Sequence, residues 1–476
     1  MASHSPFASP RTSRLLLGAV VAALLGAAAP QVSAQPHPMR PFGTLREQAE
    51  VQQRWLEQRM RTVLPALMRK HGVDSWVIPM REYNEDPTFS SLVSPTTFAA
   101  RRRTIYVFFD KCAAGGRTDP GDGSCIERIA LGGTSQGGVY EARRAMKTVT
   151  ADVGGRQAEL WGDEQWQVLK DVLEERSPKV VAINTSRTFA FTDGLTSGER
   201  DGMTEALGTK WSSRFRPAEA LALELIATRL PEEEAYYGKL QALVWELTQR
   251  MFSAEVITPG VTRTSDLVWW WRQQVNDRGL GTWFQPSVSV QRRGTTAAAL
   301  GEDPVIQRGD VLHCDVGITA LGLATDTQHN AYVLLPGETA APAGLTAALH
   351  NANKLQDIVM EELRPGRTGN EILASSLQRM KAGGIDGTVY SHPIGKHGHG
   401  AGPLLGLWDY QDGVPGRGDA RVIPSMWYSI ELQATTKVAE WGGQAVRMAQ
   451  EEDAIIGADG RTRWAIRRQD QLFLVR

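Results

Sequence analysis

The run Leu312–Asp326, LHCDVGITALGLATD, decides how the rest of the chain is read. It predicts a strand, a Gly-containing turn and a second strand, with Asp315 on the first and Asp326 opening the second. Strand residues two apart share a face, which groups Asp315 with His313 and Gly317 and sends Leu312 and Val316 to the core. A carboxylate among apolar strand residues is costly to bury unless a partner or a metal compensates it. Two ordinary strand-end aspartates would give the same stretch, so the decision lies further along.

Three later features supply it. SHPIGKHGHGAGPLLG places His392, His397 and His399 among glycines, which let backbone approach closely, and clustered imidazoles are common metal ligands. Glu431 lies in the apolar strand MWYSIEL. Glu452 lies in VRMAQEEDAII, where Met448, Gln450 and Glu452 share a face and Asp453 points away. Two Asp, one His and two Glu make five ligands for two cations about 3.5–4 Å apart. Four carboxylates offset the charge of two divalent ions, and one imidazole favours Mn²⁺, Zn²⁺, Co²⁺ or Fe²⁺ over Ca²⁺.

The order of these residues, with DVG, TDTQH, HGHGAG, YSIEL and EED as motifs, resembles the creatinase/aminopeptidase P/methionine aminopeptidase group, the "pita-bread" metallopeptidases. The resemblance covers about residues 220–476. It implies Asp315 on one metal, Asp326 and Glu452 bridging both, and His399 and Glu431 on the second, with Glu431 also the general acid/base. His399 is taken over His397 because GHGAG is similar to the family's GHG(I/V)G. The family's further His, seven residues past the ligand, would fall on Gly406, and GTTAAALGEDPV lacks a substrate-contacting His. His392 and His397 are therefore the candidates for those catalytic roles. The expected activity is removal of amino-terminal residues, of the Xaa-Pro type, by metal-activated hydroxide. A non-peptide amide hydrolase on the same site, or a binding module without catalysis, are the alternatives. The family is often dimeric, so a homodimer is the implied assembly.

The amino-terminal half is similar to the creatinase-type domain by layout, REYNEDP (Arg81–Pro87) being its one distinctive run. Strands at DSWVIPM, TIYVFF, IERIAL and VVAIN alternate with helices and predict an α/β domain over 35–220. Helices and long antiparallel strands predict an α+β pita-bread catalytic domain over 221–476. Residues 1–34 read as a secretory signal: Arg11 and Arg14 precede an apolar run, and Val32-Ser33-Ala34 is a small-residue cleavage site. Export to the periplasm or outside the cell follows, with no membrane anchor after cleavage. The 476 residues carry a formal net charge of -1, which gives no electrostatic reason to expect nucleic acid. In an oxidising space Cys112 and Cys125 could close their Gly/Asp-rich loop, leaving Cys314 as a buried thiol. Of the consecutive Trp269, Trp270 and Trp271, one or two should meet another domain or subunit.

Overall fold

A computed structural model describes residues 40–143 and 164–476, with two further short strands at Met146–Thr148 and Gln157–Glu159. The expected secretory segment, 1–34, lies outside the described residues. Among those described, no helix is long and apolar enough to cross a membrane.

Two sheets organise the chain. The first runs Glu141–Arg143, Ile126–Leu131, Arg103–Asp110, Ser75–Arg81, Val181–Ile183, Phe215–Pro217 in spatial order. Its strands are apolar on both faces because helices cover both. Trp76, Ile78, Tyr106 and Phe108 pack under the amino-terminal helix and Glu219–Ala227. Val77, Ile105 and Val107 pack against Glu164–Arg176 and Ser197–Ser212. The chain is helical from Leu45 to Lys70, loosening into a π turn at Arg59–Val63. There Arg59 turns inward to pair with buried Glu233 at 2.9 Å.

Cys112 and Cys125 form a disulfide at the edge of this sheet, across a separation of 13 residues. Replacing both by serine should cost up to about 3 kcal/mol, the loop-closure entropy returned to the unfolded chain. Denaturant midpoints of the wild type and the double variant, with metal content as the control, check this. Equal midpoints would contradict it.

The second sheet has nine strands among the described residues, mostly antiparallel: six run in the order Asp386–Val389, Trp427–Val438, Gln444–Ile456, Thr327–Val333, Val311–Val316, Ser287–Gln291, and His392–Ile394, Thr462–Trp464 and Phe473–Val475 pair beside them. Helices Pro231–Met251 and Thr264–Asp277 pack onto Leu312, Cys314 and Val316. Ala343–Glu362 and Gly369–Ala382 pack onto Ile430, Leu432 and Ala434. Cys314 is fully buried there, as expected, and burial pushes its thiol up, away from reactivity. Strand alternation then leaves Asp315 and Glu431 on the opposite face, away from the helices. The Trp run divides three ways: Trp271 is buried, Trp270 packs partly on the core, and Trp269 is 61% exposed.

One local expectation is corrected. Between Asp315 and Asp326 the chain inserts a small hairpin, Thr319–Ala320 with Leu323–Ala324. It turns on Leu321 and Gly322, both at positive φ (54° and 72°), as a two-residue hairpin turn demands.

Candidate metal centre

Strand register builds the centre. Asp315 lies opposite Gln328, Gln328 opposite Glu451, and Glu451 opposite Glu431. Directly opposed residues share a face, so one row across four strands brings three acids and an amide together. His392 pairs with Ser429, two residues before Glu431, and so enters from the neighbouring row. Asp326 enters from the end of the hairpin, just before its strand begins.

The side chains converge. Oxygens of Asp315, Asp326 and Glu451 lie within 4.8 Å of one another, as do the donor atoms of His392, Glu431 and Glu451. His392 Nε2 is 3.3 Å from Glu451 Oε1, 3.6 Å from Asp326 Oδ2 and 3.8 Å from Glu431 Oε2. Its Nδ1 sits 3.0 Å from the Pro393 carbonyl, which suits a proton on Nδ1 and leaves Nε2 bare toward the acids.

A supporting layer fixes these groups. Gln328 Nε2 donates to Glu431 Oε1 (2.5 Å) and to Glu451 Oε2 (3.0 Å). Gln328 Oε1 in turn faces His313 Nε2 at 2.9 Å. Burial holds His313 down to about 4, so it is a neutral imidazole donating to that amide. Ser429 Oγ donates to Glu451 Oε1 at 2.6 Å. Asp453 accepts from Tyr237 Oη (2.6 Å), Gln241 Nε2 and the Asp326 backbone N–H (3.3 Å), and so anchors Asp326.

Burial, then repulsion from Glu451, holds Asp315, Asp326 and Glu431 well above the usual carboxylate range. Asp315 Oδ1, Asp326 Oδ1 and His392 Nε2 are buried without a hydrogen-bond partner. Orphaned acceptors on converging acids are what a bound cation would satisfy, and four carboxylates with one imidazole fit two divalent ions. The donor set therefore fits the expected metals. Because the raised values keep protons on the metal-free site above about pH 4, where free carboxylates lose them, loading must expel protons. Apparent affinity for Mn²⁺ or Zn²⁺ should rise with pH above the ordinary carboxylate range, with net proton release measurable by calorimetry in buffers of different ionisation enthalpy. Affinity independent of pH would contradict this.

Two expected ligands sit differently from the expectation. Glu452 lies opposite Ile430, on the helix-covered face, where its Oε1 is 3.0 Å from His329 Nε2 and accepts from Gln469 N–H at 2.9 Å. Its neighbour Glu451 occupies the acid cluster instead. A signal was present: Met448, Ala454 and Ile456 share Glu452's parity and are core residues, so that face was never free for a site. Among the histidines, His392 reaches three of the acids. His399 stands at the rim, near-perpendicular to His392 at 4.7 Å and to Trp283 at 5.1 Å, though it shares a 4.8 Å group with Asp326 and His392. His397 turns away and stacks on Phe191 at 4.7 Å, in none of the ligand groups. With His392 as ligand, the seventh residue onward is His399 rather than Gly406, and that departure from the family pattern disappears.

The reading from sequence placed His313 on the face of Asp315 without giving it a role, and passed over Gln328 and Trp283. Gln328 was findable, being two residues after Asp326 and on a strand. Trp283 was not: its indole fills the space beside Gly317 and Gly398 and donates to the Thr325 carbonyl at 2.8 Å, a contact between distant segments.

Residues 239–456, which include all five converging side chains, match the family model for metallopeptidase family M24. This part of the chain is an M24 metallopeptidase domain. The family is one of hydrolases, and the fold is the pita-bread fold with an amino-terminal domain ahead of it. The X-Pro aminopeptidase from Thermotoga maritima MSB8 is similar in structure over 86% of this chain and 100% of its own, at 15% identity and a TM-score of 0.56. An Xaa-Pro dipeptidase from Bacillus anthracis aligns over 89% and 99%, at 16% identity and 0.53. The N-terminal domain of FACT complex subunit SPT16 from Cicer arietinum aligns over 88% and 99%, at 12% identity and 0.55. At such identities the likeness concerns the fold of the M24 domain and the domain before it. No curated protein matches the chain in sequence.

Proposed function

We propose that the M24 domain is a dinuclear metallopeptidase that removes amino-terminal residues from peptides, with preference for a bond preceding proline. The observation that carries this is the convergence of Asp315, Asp326, His392, Glu431 and Glu451, with buried oxygens left unpartnered. Asp315, Asp326 and Glu451 would hold one ion, and His392, Glu431 and Glu451 the other. Bound there, the ions supply Lewis acidity and lower the pKa of water.

The chain's own residues do the rest. Glu431, steadied by Gln328, is the carboxylate placed to take a proton at one oxygen and return it to the departing amine. His399, exposed at the rim beside His392, can hydrogen-bond a peptide carbonyl or amide. Tyr390, beside Glu431 and half-buried, keeps its phenol proton because burial and these acids push its pKa up. Asp453 and Ser429 keep Asp326 and Glu451 in place while charge moves. Export is part of the proposal: the 1–34 segment has the pattern of a secretory signal, and the Cys112–Cys125 disulfide suits an oxidising compartment.

Elemental analysis should find two divalent ions per chain. The same preparation should hydrolyse X-Pro peptides and lose that activity on chelation. A preparation with no stoichiometric ion would favour a binding module on this fold. Activity on amides but not on peptides would favour the non-peptide alternative.

A further inference from the structure

A second cavity, of about 320 Å³, lies between the amino-terminal helix and the hairpin that joins Asp315 to Asp326. Its polar wall includes Trp55, Arg59, Ser91, Glu233 and Lys396. The charges there do not balance. Glu233 is the one acid in the wall, and it is already taken. Arg59 Nη2 donates to both its oxygens, at 2.9 and 3.2 Å, and the Leu230 N–H donates at 2.7 Å. Arg229, buried behind it, donates to the Ala227 carbonyl at 3.3 Å and lies over the Trp427 ring, and its Nη1 has no hydrogen-bond partner among the described residues. Lys396 has no hydrogen-bonded or ion-paired acceptor among the described residues. Burial and the two arginines lower it to about 8, so it is still a cation at neutral pH. Trp55 Nε1 and Ser91 Oγ are buried donors without acceptors. The rest of the wall, including Phe89, Leu321 and Leu323, is apolar.

A cavity with unanswered donors, an unpaired ammonium and an apolar remainder lacks an acceptor that carries negative charge. We propose that it binds a small apolar carboxylate, its charge answering Lys396 and its body lying against the apolar wall. A monoanion is favoured because Arg59 is already committed to Glu233, leaving one free cation in the wall. The site touches two of the segments that carry metal-centre residues. Lys396 lies between His392 and His399, Leu321 and Leu323 lie between Asp315 and Asp326, and the Ala324 N–H donates to the Gly395 carbonyl at 2.6 Å to join the two. Occupancy would brace these segments against the amino-terminal domain. The proposal does not depend on which reaction the metal centre performs.

Calorimetry on the full chain tests it, with 3-phenylpropionate, its amide and inorganic phosphate as probes, each before and after chelation of metal. The carboxylate should bind at least tenfold more tightly than the amide and should still bind after chelation, which excludes the metal centre as its site. Lys396→Met should weaken the carboxylate at least tenfold and leave the amide unchanged. Lys396→Gln serves if the first variant does not fold, with the same expectation. Competition by a peptide with a free carboxyl terminus, but not by its amidated form, would identify the source as a peptide end. Competition by neither would identify a separate acid, and both results support the site. Equal binding of acid and amide, binding lost with the metal, binding of phosphate alone, or an unchanged affinity in the Lys396 variants would overturn it.

Discussion

Replacing Glu451 by glutamine should abolish stoichiometric metal binding and lower kcat/KM on X-Pro peptides by more than about 100-fold, while Glu452→Gln keeps both. Glu451 is common to the Asp315–Asp326 group and the His392–Glu431 group, so losing its charge weakens both halves of the centre together. Partners that merely orient ligands already cost about 10–100-fold when removed, which sets a floor for a ligand shared by both groups. Glutamine preserves the volume and the Ser429 hydrogen bond, so the fold should survive. Glu452 lies on the other face, with His329 and the Gln469 N–H as its partners. Its substitution should instead cost stability, about 1–3 kcal/mol for disturbing a buried polar pair, with metal content unchanged. Elemental analysis and denaturant unfolding of the two variants decide between them. If Glu452→Gln loses the metals and Glu451→Gln keeps them, the register described above does not describe the working site.

The histidines divide by the same logic. His392→Ala should lower metal affinity more than about 100-fold, since it removes the one imidazole that reaches Asp326, Glu431 and Glu451 at once. His399→Ala should retain both ions and lose about 10²–10⁴-fold in kcat/KM, the range for a positioned proton-transfer or hydrogen-bonding group. A chelator titration followed by steady-state kinetics separates the two outcomes. His397→Ala should leave metal content intact, because that ring stacks on Phe191 and faces none of the acids. Loss of metal in His399→Ala, with retention in His392→Ala, would reinstate the reading taken from the GHGAG motif.

The contrast between these pairs shows where sequence reading succeeds. Asp315 and Glu431 each interrupt an apolar strand, and alternation alone sends them away from the helix-packed face. The adjacent acids Glu451 and Glu452 gave no such lead when read in isolation. From Met448 to Ile456 both faces of that strand are buried, so polarity does not distinguish them. Only the core residues of Glu452's own parity, Met448, Ala454 and Ile456, carry the distinction. His397 and His399 both have glycine at the next residue but His392 lies between Ser391 and Pro393, so glycine spacing never pointed to His392; its pairing with Ser429 on a neighbouring strand is what carries its ring to the acids.

By itself, the sequence determined the alternation of apolar and polar positions, and through it the strands, the helices that cover them and the presence on them of acids and histidines of the kinds that can hold metal ions. Those are local properties, set by side-chain periodicity and backbone preference. The tertiary structure alone decided which neighbour of a pair joins the site, what buttresses it, and where Lys396 is left without a counter-charge. Each of these depends on cross-strand register or on segments more than a hundred residues apart, and a shift of one residue in pairing would send every one of those side chains to the opposite face.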